Sequence, residues 1–285
     1  MKPFKKFTLL IIILLLLFSC LVPVFTTIKA NALALSNSKT YIVLDSDSKK
    51  PLPSKFRIID SLNISGSSQF TPSQLPNLKA KINHPKIFII DLRQESHGFI
   101  NDIAISFYSP QITLNDGFTT SQTLSDEAKD LSTIPKGREV TIFHKTTRPA
   151  LNVFVESVGS EAPIVNKQNM SYTRLAVKDG SIPSPQIVDQ FVALIKYQSA
   201  GSHLHFHCNE GEGRTTTFMS MYQMMHNKDK LSLQSILDYQ TSIGGIVLTD
   251  NLNRREFLNE FYNYTKNNKL TNFRIPYSQW IKNPK

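Results

Sequence analysis

The chain reads as an α/β protein in which helices flank a mostly parallel sheet and a small β-rich insertion interrupts the main fold. Three observations lead there. "KIFII", residues 86–90, is a short apolar run of mainly β-branched residues bounded by polar ones, the pattern of a strand buried on both faces of a parallel sheet. Further on, a helical pattern, the short alternation "HLHFH" and a second helical pattern follow one another, with a Gly-containing turn between the last two. Between these regions, residues 110–172 carry shorter, mixed apolar runs that suit a smaller β-rich part.

Taken in order, residues 33–54 are rich in Ser, Lys and Pro and predict an exposed lead-in with one strand at Tyr41 to Leu44. "FRIIDSLNISGSSQF" predicts a strand running into a Ser/Gly turn, as one arm of a hairpin. The strand in "KIFIIDLRQESHGFIN" comes next, and catalytic groups often lie beyond the carboxyl end of such a strand. A helix is expected at Leu124 to Leu131, with strands at Glu139 to His144 and Leu151 to Glu156. Pro183 and Ser184 are good helix-start residues, and Ile187, Phe191, Leu194 and Ile195 then recur at helical spacing as far as Tyr197. "TTTFMSMYQMMHN" predicts a helix with a Met/Phe core face, its methionines serving packing, and helical patterns follow at Leu233 to Tyr239 and Arg254 to Tyr264.

At 285 residues with 40% apolar and 19% charged residues, the composition is that of an ordinary folded protein. Lys2, Lys5 and Lys6 precede a nearly unbroken apolar run from Phe7 to Phe25, followed by Ala30-Asn31-Ala32. Residues 1–32 are therefore expected to be an export signal cleaved after Ala32. An uncleaved anchor is the second reading, since about 18 apolar residues can span a bilayer. Lipidation at Cys20, in a loose lipoprotein-box context, is the third. The remaining 33–285 then form the folded domain, placed outside the cytoplasm, in a bacterial periplasm or at the cell surface.

Without residues 1–32 the chain keeps 28 basic and 22 acidic residues, a net charge of +6. Such an excess attracts anionic partners. No Lys/Arg block or helix-turn-helix pattern points to nucleic acid, which leaves anionic lipid or a highly phosphorylated small molecule; membrane contact is expected only through the N-terminal segment, if it is uncleaved or lipidated. The cysteines number two, and loss of the leader leaves Cys208 without a disulfide partner. A free thiol outside the reducing cytosol risks oxidation, so chemistry explains it better than packing.

Cys208, Asn209, Glu210, Gly211, Glu212, Gly213 and Arg214 form a C-x5-R loop between a strand and a helix. Loop amides and the positive end of the helix dipole bind phosphate and favour a thiolate, which is the nucleophilic form of cysteine. Arg214 can grip two phosphate oxygens with its planar fork. Gly211 and Gly213 permit tight curvature. Thr215 is placed to donate a hydrogen bond to the sulfur and ease its departure from phosphorus, and His207 is read as orienting the loop rather than acting as a base. No cofactor or metal ligand set is read from the sequence.

On these residues, and on "FRIIDSLNISGSSQF", "DLRQESHGFIN", "KDGSIPSP", "HFHCNEGEGRTTTFM", "YQTSIGG" and "YSQWI", the sequence resembles the bacterial cysteine phytases, the protein-tyrosine-phosphatase-like inositol polyphosphatases. The resemblance implies the tyrosine-phosphatase-like fold, Cys208 as nucleophile, Arg214 as phosphate clamp and Asp179 as the acid that protonates the leaving alkoxide. It further implies substrate contacts from Arg57, Lys55 and Arg254, with Arg255 nearby, a water-positioning role for Gln240, and loop support from Arg93 and His97. It departs from the family at Gly180, where a histidine often follows the aspartate, and at Glu210 and Glu212, where the family usually has small or neutral residues. The expected function is stepwise dephosphorylation of inositol hexakisphosphate through a phosphocysteine. A protein-tyrosine or dual-specificity phosphatase and a weakly active inositol-polyphosphate-binding module are the alternatives.

Overall fold

The structure is a computed structural model and describes residues 39–197 and 201–283. The leader, anchor and Cys20 readings lie outside these residues. Tyr41–Tyr108 and Leu114–Lys285 form one compact unit, which carries all the elements described below. Residues 39–40 and Ser109–Thr113 group separately, and there Ser109 Oγ donates to Gln111 Oε1 at 2.9 Å.

A five-stranded sheet is mostly parallel. Its strands are β2 (Arg57–Ile59), β3 (Ile64–Ser67), β4 (Ile87–Arg93), β10 (Ser171–Val177) and β11 (His203–His207), in the order β10-β4-β11-β3-β2. β2 alone runs antiparallel, pairing with β3 as the expected hairpin. The Ser/Gly stretch differs from expectation, because "ISGS" is β3 itself and not a turn. A Cβ on Gly66 would lie 2.5 Å from Met219 Sδ and 2.7 Å from Thr215 Cγ2, so the glycine serves the close approach of a helix.

Both faces of β4 are covered, and its side chains divide by the strand's period of two. Phe88, Ile90 and Leu92 join the core packed by helices α4 (Pro185–Tyr197), α5 (Gly213–Met225), α6 (Leu233–Ser242), α7 (Leu252–Asn268) and α8 (Tyr277–Trp280). Ile87 and Ile89 face the other way, into a second core with α1 (Leu75–Ile82) and α3 (Glu161–Lys167). Further along this second face the strand turns polar, with Asp91 and Arg93 both fully buried. β11 shows the same division: Leu204, Phe206 and Cys208 belong to the large core, while His203, His205 and His207 alternate with them. α5 is buried from Arg214 to Met225, hence the lack of a polar stripe in its sequence.

A second sheet has the order β8-β7-β1-β6-β5-β9, built from β1 (Tyr41–Ser46), β5 (His97–Ile100), β6 (Ile103–Tyr108), β7 (Glu139–Phe143), β8 (Pro149–Phe154) and β9 (Val158–Gly159). The stretch 110–172, read as β-rich, supplies β7, β8 and β9, together with α2 (Thr120–Ser132) and α3. The other three strands come from earlier in the chain. Among the described residues no helix is long and apolar enough to cross a membrane.

Candidate active site

β11 delivers the chain to Cys208, and α5 begins five residues later at Gly213. The carbonyls of the intervening loop are held by the protein: Asn209 O accepts from Gln69 N at 2.9 Å, Gly211 O from Arg57 Nη1 at 2.9 Å, and Glu212 O from Thr216 N at 2.8 Å. A trans peptide points its N–H opposite its C=O, so the following amides of Glu210, Glu212 and Gly213 turn to the other side. Gly211 is the tight point. Its φ is +72°, and a Cβ there would lie 2.4 Å from Ser68 N.

Cys208 is buried, and Thr215 Oγ1, in the first turn of α5, donates to its Sγ at 3.2 Å. Arg214 is 3% exposed. Its Nη1 and Nη2 donate to Glu95 Oε2 and Oε1 at 2.7 and 2.9 Å, and Nη1 also donates to Val177 O at 3.0 Å. Asp179 Oδ1 lies 3.0 Å from Nη2, on a largely exposed side chain. Arg214 Nε is buried without a hydrogen-bond partner among the described residues. Burial alone would raise the Glu95 carboxyl, but Arg214 and Arg93 overcome it and hold that group well below the usual carboxylate range.

The residues expected to form a basic rim are placed differently from one another. Arg57 is 4% exposed and braces the loop, with Nη1 on Gly211 O and Lys55 O and Nη2 on Thr216 Oγ1 at 2.9 Å. Burial lowers its pKa to about 10 against the opposing pull of Cys208 and Glu212. Lys55 pairs with Glu212 at 3.2 Å, and Glu210 is exposed. Arg254, at the start of α7, lies over Gly213, where a Cβ would sit 3.1 Å from Nη2. Its Nε has no partner among the described residues, and Nη2 makes one long contact of 3.5 Å to Gly180 O. Burial lowers its pKa, while Asp179 and Cys208 act in the opposite direction. Arg255 is exposed.

Gln240 is a correction. Its side chain is fully buried and donates to Gln223 Oε1 at 2.9 Å, about two and a half helical turns beyond Arg214, so it does not face the loop. His207 is also fully buried, with Nε2 3.1 Å from Glu161 Oε2 at ion-pair distance but outside hydrogen-bonding geometry. Behind it lies a network of charges. His97 Nε2 is 3.1 Å from Glu161 and 3.2 Å from Asp91, and Arg174 lies 2.5 Å from Glu127 and 3.3 Å from Asp91. Asp91, Glu161 and His207 place ligand-type atoms within 4.8 Å of one another, but Arg174 and His97 supply the positive charge there. Burial would lower the His97 pKa, yet Asp91 and Glu127 raise it to about 10, against Arg93 and Arg174.

Sequence reasoning missed two residues. One is Glu95, which sits in the quoted "DLRQESHG" but 119 positions from the arginine it holds. The other is Lys145, in the β7–β8 turn, whose Nζ comes within 3.1 Å of the Asn209 amide oxygen when that amide nitrogen faces Asp45 Oδ1 at 3.2 Å. Lys145 follows His144 and precedes Arg148, a basic turn that was the available signal.

Comparison with known proteins places this geometry. A family model for protein-tyrosine-phosphatase-like phytases, described as "Inositol hexakisphosphate", matches residues 90–226 and so includes Glu95, Asp179 and the whole loop. A phytase of this type from Bdellovibrio bacteriovorus superposes with a TM-score of 0.74 at 27% identity, covering 86% of this chain and 95% of its own. The chain is similar to the protein-tyrosine-phosphatase-like phytases. A myo-inositol phosphatase of this kind from Mitsuokella multacida, in complex with myo-inositol-(1,3,4,5)-tetrakisphosphate, gives a TM-score of 0.77 at 29% identity over 86% of this chain. Effector protein hopD2 of Pseudomonas syringae pv. tomato is 26% identical over 257 residues, which is 82% of this chain. The phytase-like chain spans about half of these last two proteins, 49% and 54% respectively.

Proposed function

We propose that this protein is a phosphatase that removes phosphate stepwise from inositol polyphosphates, with inositol hexakisphosphate as starting substrate. One observation carries the reading: Arg214 is fixed by Glu95 on its Nη edge, sits beside Asp179, and keeps a buried Nε unpartnered among the described residues, next to a sulfur that accepts from Thr215. That edge is what a phosphoryl group would take. Its oxygens would occupy Nε and Nη2 and displace Asp179, leaving that carboxyl free to serve the leaving group. The family match and the tetrakisphosphate complex of the Mitsuokella relative support an inositol phosphate as substrate.

In the first step Cys208 Sγ bonds to phosphorus as the phosphorus–alkoxide bond breaks, and Asp179 gives its proton to the departing oxygen. Amides of the loop and Arg214 hold the phosphoryl charge. In the second, water attacks phosphorus, Asp179 takes its proton, and the sulfur leaves as thiolate with Thr215 donating to it. Arg254 and Lys145 are placed to hold phosphates not undergoing reaction. The test is phosphate release from inositol hexakisphosphate with EDTA present, in the wild type and in Cys208→Ser. Loss of release in the variant supports the mechanism, and activity retained in Cys208→Ser overturns it.

A protein-tyrosine or dual-specificity phosphatase is the second reading, since the Cys208 to Arg214 loop would serve a phosphotyrosyl ester equally well. A higher kcat/KM for a phosphotyrosyl peptide than for inositol hexakisphosphate would establish it. Export belongs to the proposal and rests on the Lys-rich start, the apolar run and Ala30-Asn31-Ala32. Amino-terminal sequencing of protein recovered from outside the cytoplasm checks it, with Leu33 expected first.

A further inference from the structure

Glu212 Oε1 lies 3.2 Å from Lys55 Nζ, and the side chains of lysine and glutamate are 49% and 41% exposed. Lys55 is not a loose surface residue. Arg57 Nη1 donates both to its carbonyl, at 3.0 Å, and to Gly211 O, at 2.9 Å, so one guanidinium joins its backbone to the loop. The cations around the loop therefore differ in what they can offer an anion. Arg254 has Nε unpartnered among the described residues, whereas the ammonium of Lys55 already faces a carboxylate from the loop itself. Glu210, the other loop acid, is exposed and has no cation at ion-pair distance among the described residues.

We propose that Glu212 is a specificity-determining residue that neutralises Lys55 and so withholds one rim cation from the non-reacting phosphates of a substrate. The proposal rests on the inositol-polyphosphate reading. A second phosphate entering on this side competes with Glu212 for the same ammonium. The pair thereby weakens the advantage of a highly phosphorylated ring over one with fewer phosphates. Because both groups are partly exposed, the competition is screened by salt.

The experiment measures inhibition of p-nitrophenyl phosphate hydrolysis by inositol hexakisphosphate in the wild type, Glu212→Gln, Lys55→Gln and the double variant, at low and high ionic strength. Glu212→Gln is expected to lower the inhibition constant about two- to fivefold at low salt, the scale of an exposed ion pair. The gain should disappear in the double variant and shrink at high salt. An unchanged constant in Glu212→Gln overturns the proposal. So does a gain that persists without Lys55, since that would be plain repulsion by Glu212. Phosphate release from inositol hexakisphosphate is read in the same samples. Its absence in the wild type would overturn the inositol-polyphosphatase reading, while the inhibition constants still decide the role of the pair.

Discussion

Glu95 grips Arg214 with both carboxylate oxygens, at 2.7 and 2.9 Å, across 119 positions of sequence. The same carboxylate accepts from Arg93 Nε at 2.8 Å, so it stands between two buried guanidiniums. A planar fork held on one edge presents the other edge in a fixed direction, which is the geometry that phosphoryl stabilisation requires.

Replacing Glu95 by Gln keeps the shape but removes the charge that orients Arg214. We expect kcat/KM to fall by about 10- to 100-fold, the cost of misplacing a transition-state contact, with kcat affected more than KM. Steady-state kinetics on inositol hexakisphosphate check this. An effect confined to KM would show that the fork is oriented by other means.

Gly211→Ala should be severe at the loop. The residue has φ +72°, and the added Cβ would meet the Ser67–Ser68 backbone at 2.4–2.8 Å. Left-handed strain alone costs about 1–2 kcal/mol, and a backbone clash cannot be relieved by a rotamer change. A lower melting temperature with activity reduced by about 100-fold or more is expected. Near-wild-type turnover would mean that the loop has another conformation available.

Arg254→Met removes a guanidinium that lies over Gly213 without entering the nucleophile's own hydrogen bonds. Contacts to phosphates that do not react act alike in ground and transition states. KM for inositol hexakisphosphate should therefore rise about tenfold, with a much smaller change in kcat.

Stability should fall on both sides of neutrality, for different reasons. His97 has its pKa raised from 6.5 to about 10, so the stability it contributes is complete below 6.5 and is lost as pH rises through about 10. Glu161 has its pKa lowered from 4.5 to about 2, chiefly because His207 overcomes the opposing effect of burial. Its contribution is present above 4.5 and is lost as pH falls through about 2. Melting temperature measured against pH should show both limbs, and His97→Gln should flatten the alkaline one.

The nucleophile loop was legible because its whole logic is local: a strand, six loop residues, an arginine and a helix, contiguous from His203 to Met225. The mostly parallel sheet was legible for a similar reason, since burial on both faces leaves a continuous apolar run in β4. The second sheet was not, because β1 pairs with β6 and β7, strands that lie far along the chain, and no short-range periodicity records such pairing. Arg57 shows the same limit at one residue. The sequence gives a cation near the right hairpin, but whether it faces substrate or Gly211 O depends on a contact across 154 positions. Gln240 failed for the converse reason, as its partner Gln223 lies on a helix whose buried face could not be told from its sequence. Gly66 looked like a turn because its neighbour across the sheet face, Met219, is invisible to local reasoning.

Arg93 joins regions that the chain separates: its Nη1 reaches Asp45 Oδ2 on β1 at 2.9 Å and Gln69 Oε1 at 2.7 Å, while Nε holds Glu95. The six-stranded sheet is thus wired to the phosphate clamp through alternating charges, Asp45 to Arg93 to Glu95 to Arg214. Injury to β1 near Asp45 would consequently surface as a slackened hold on phosphorus, in a residue no one would count among the chemistry, well before the molecule lost its shape.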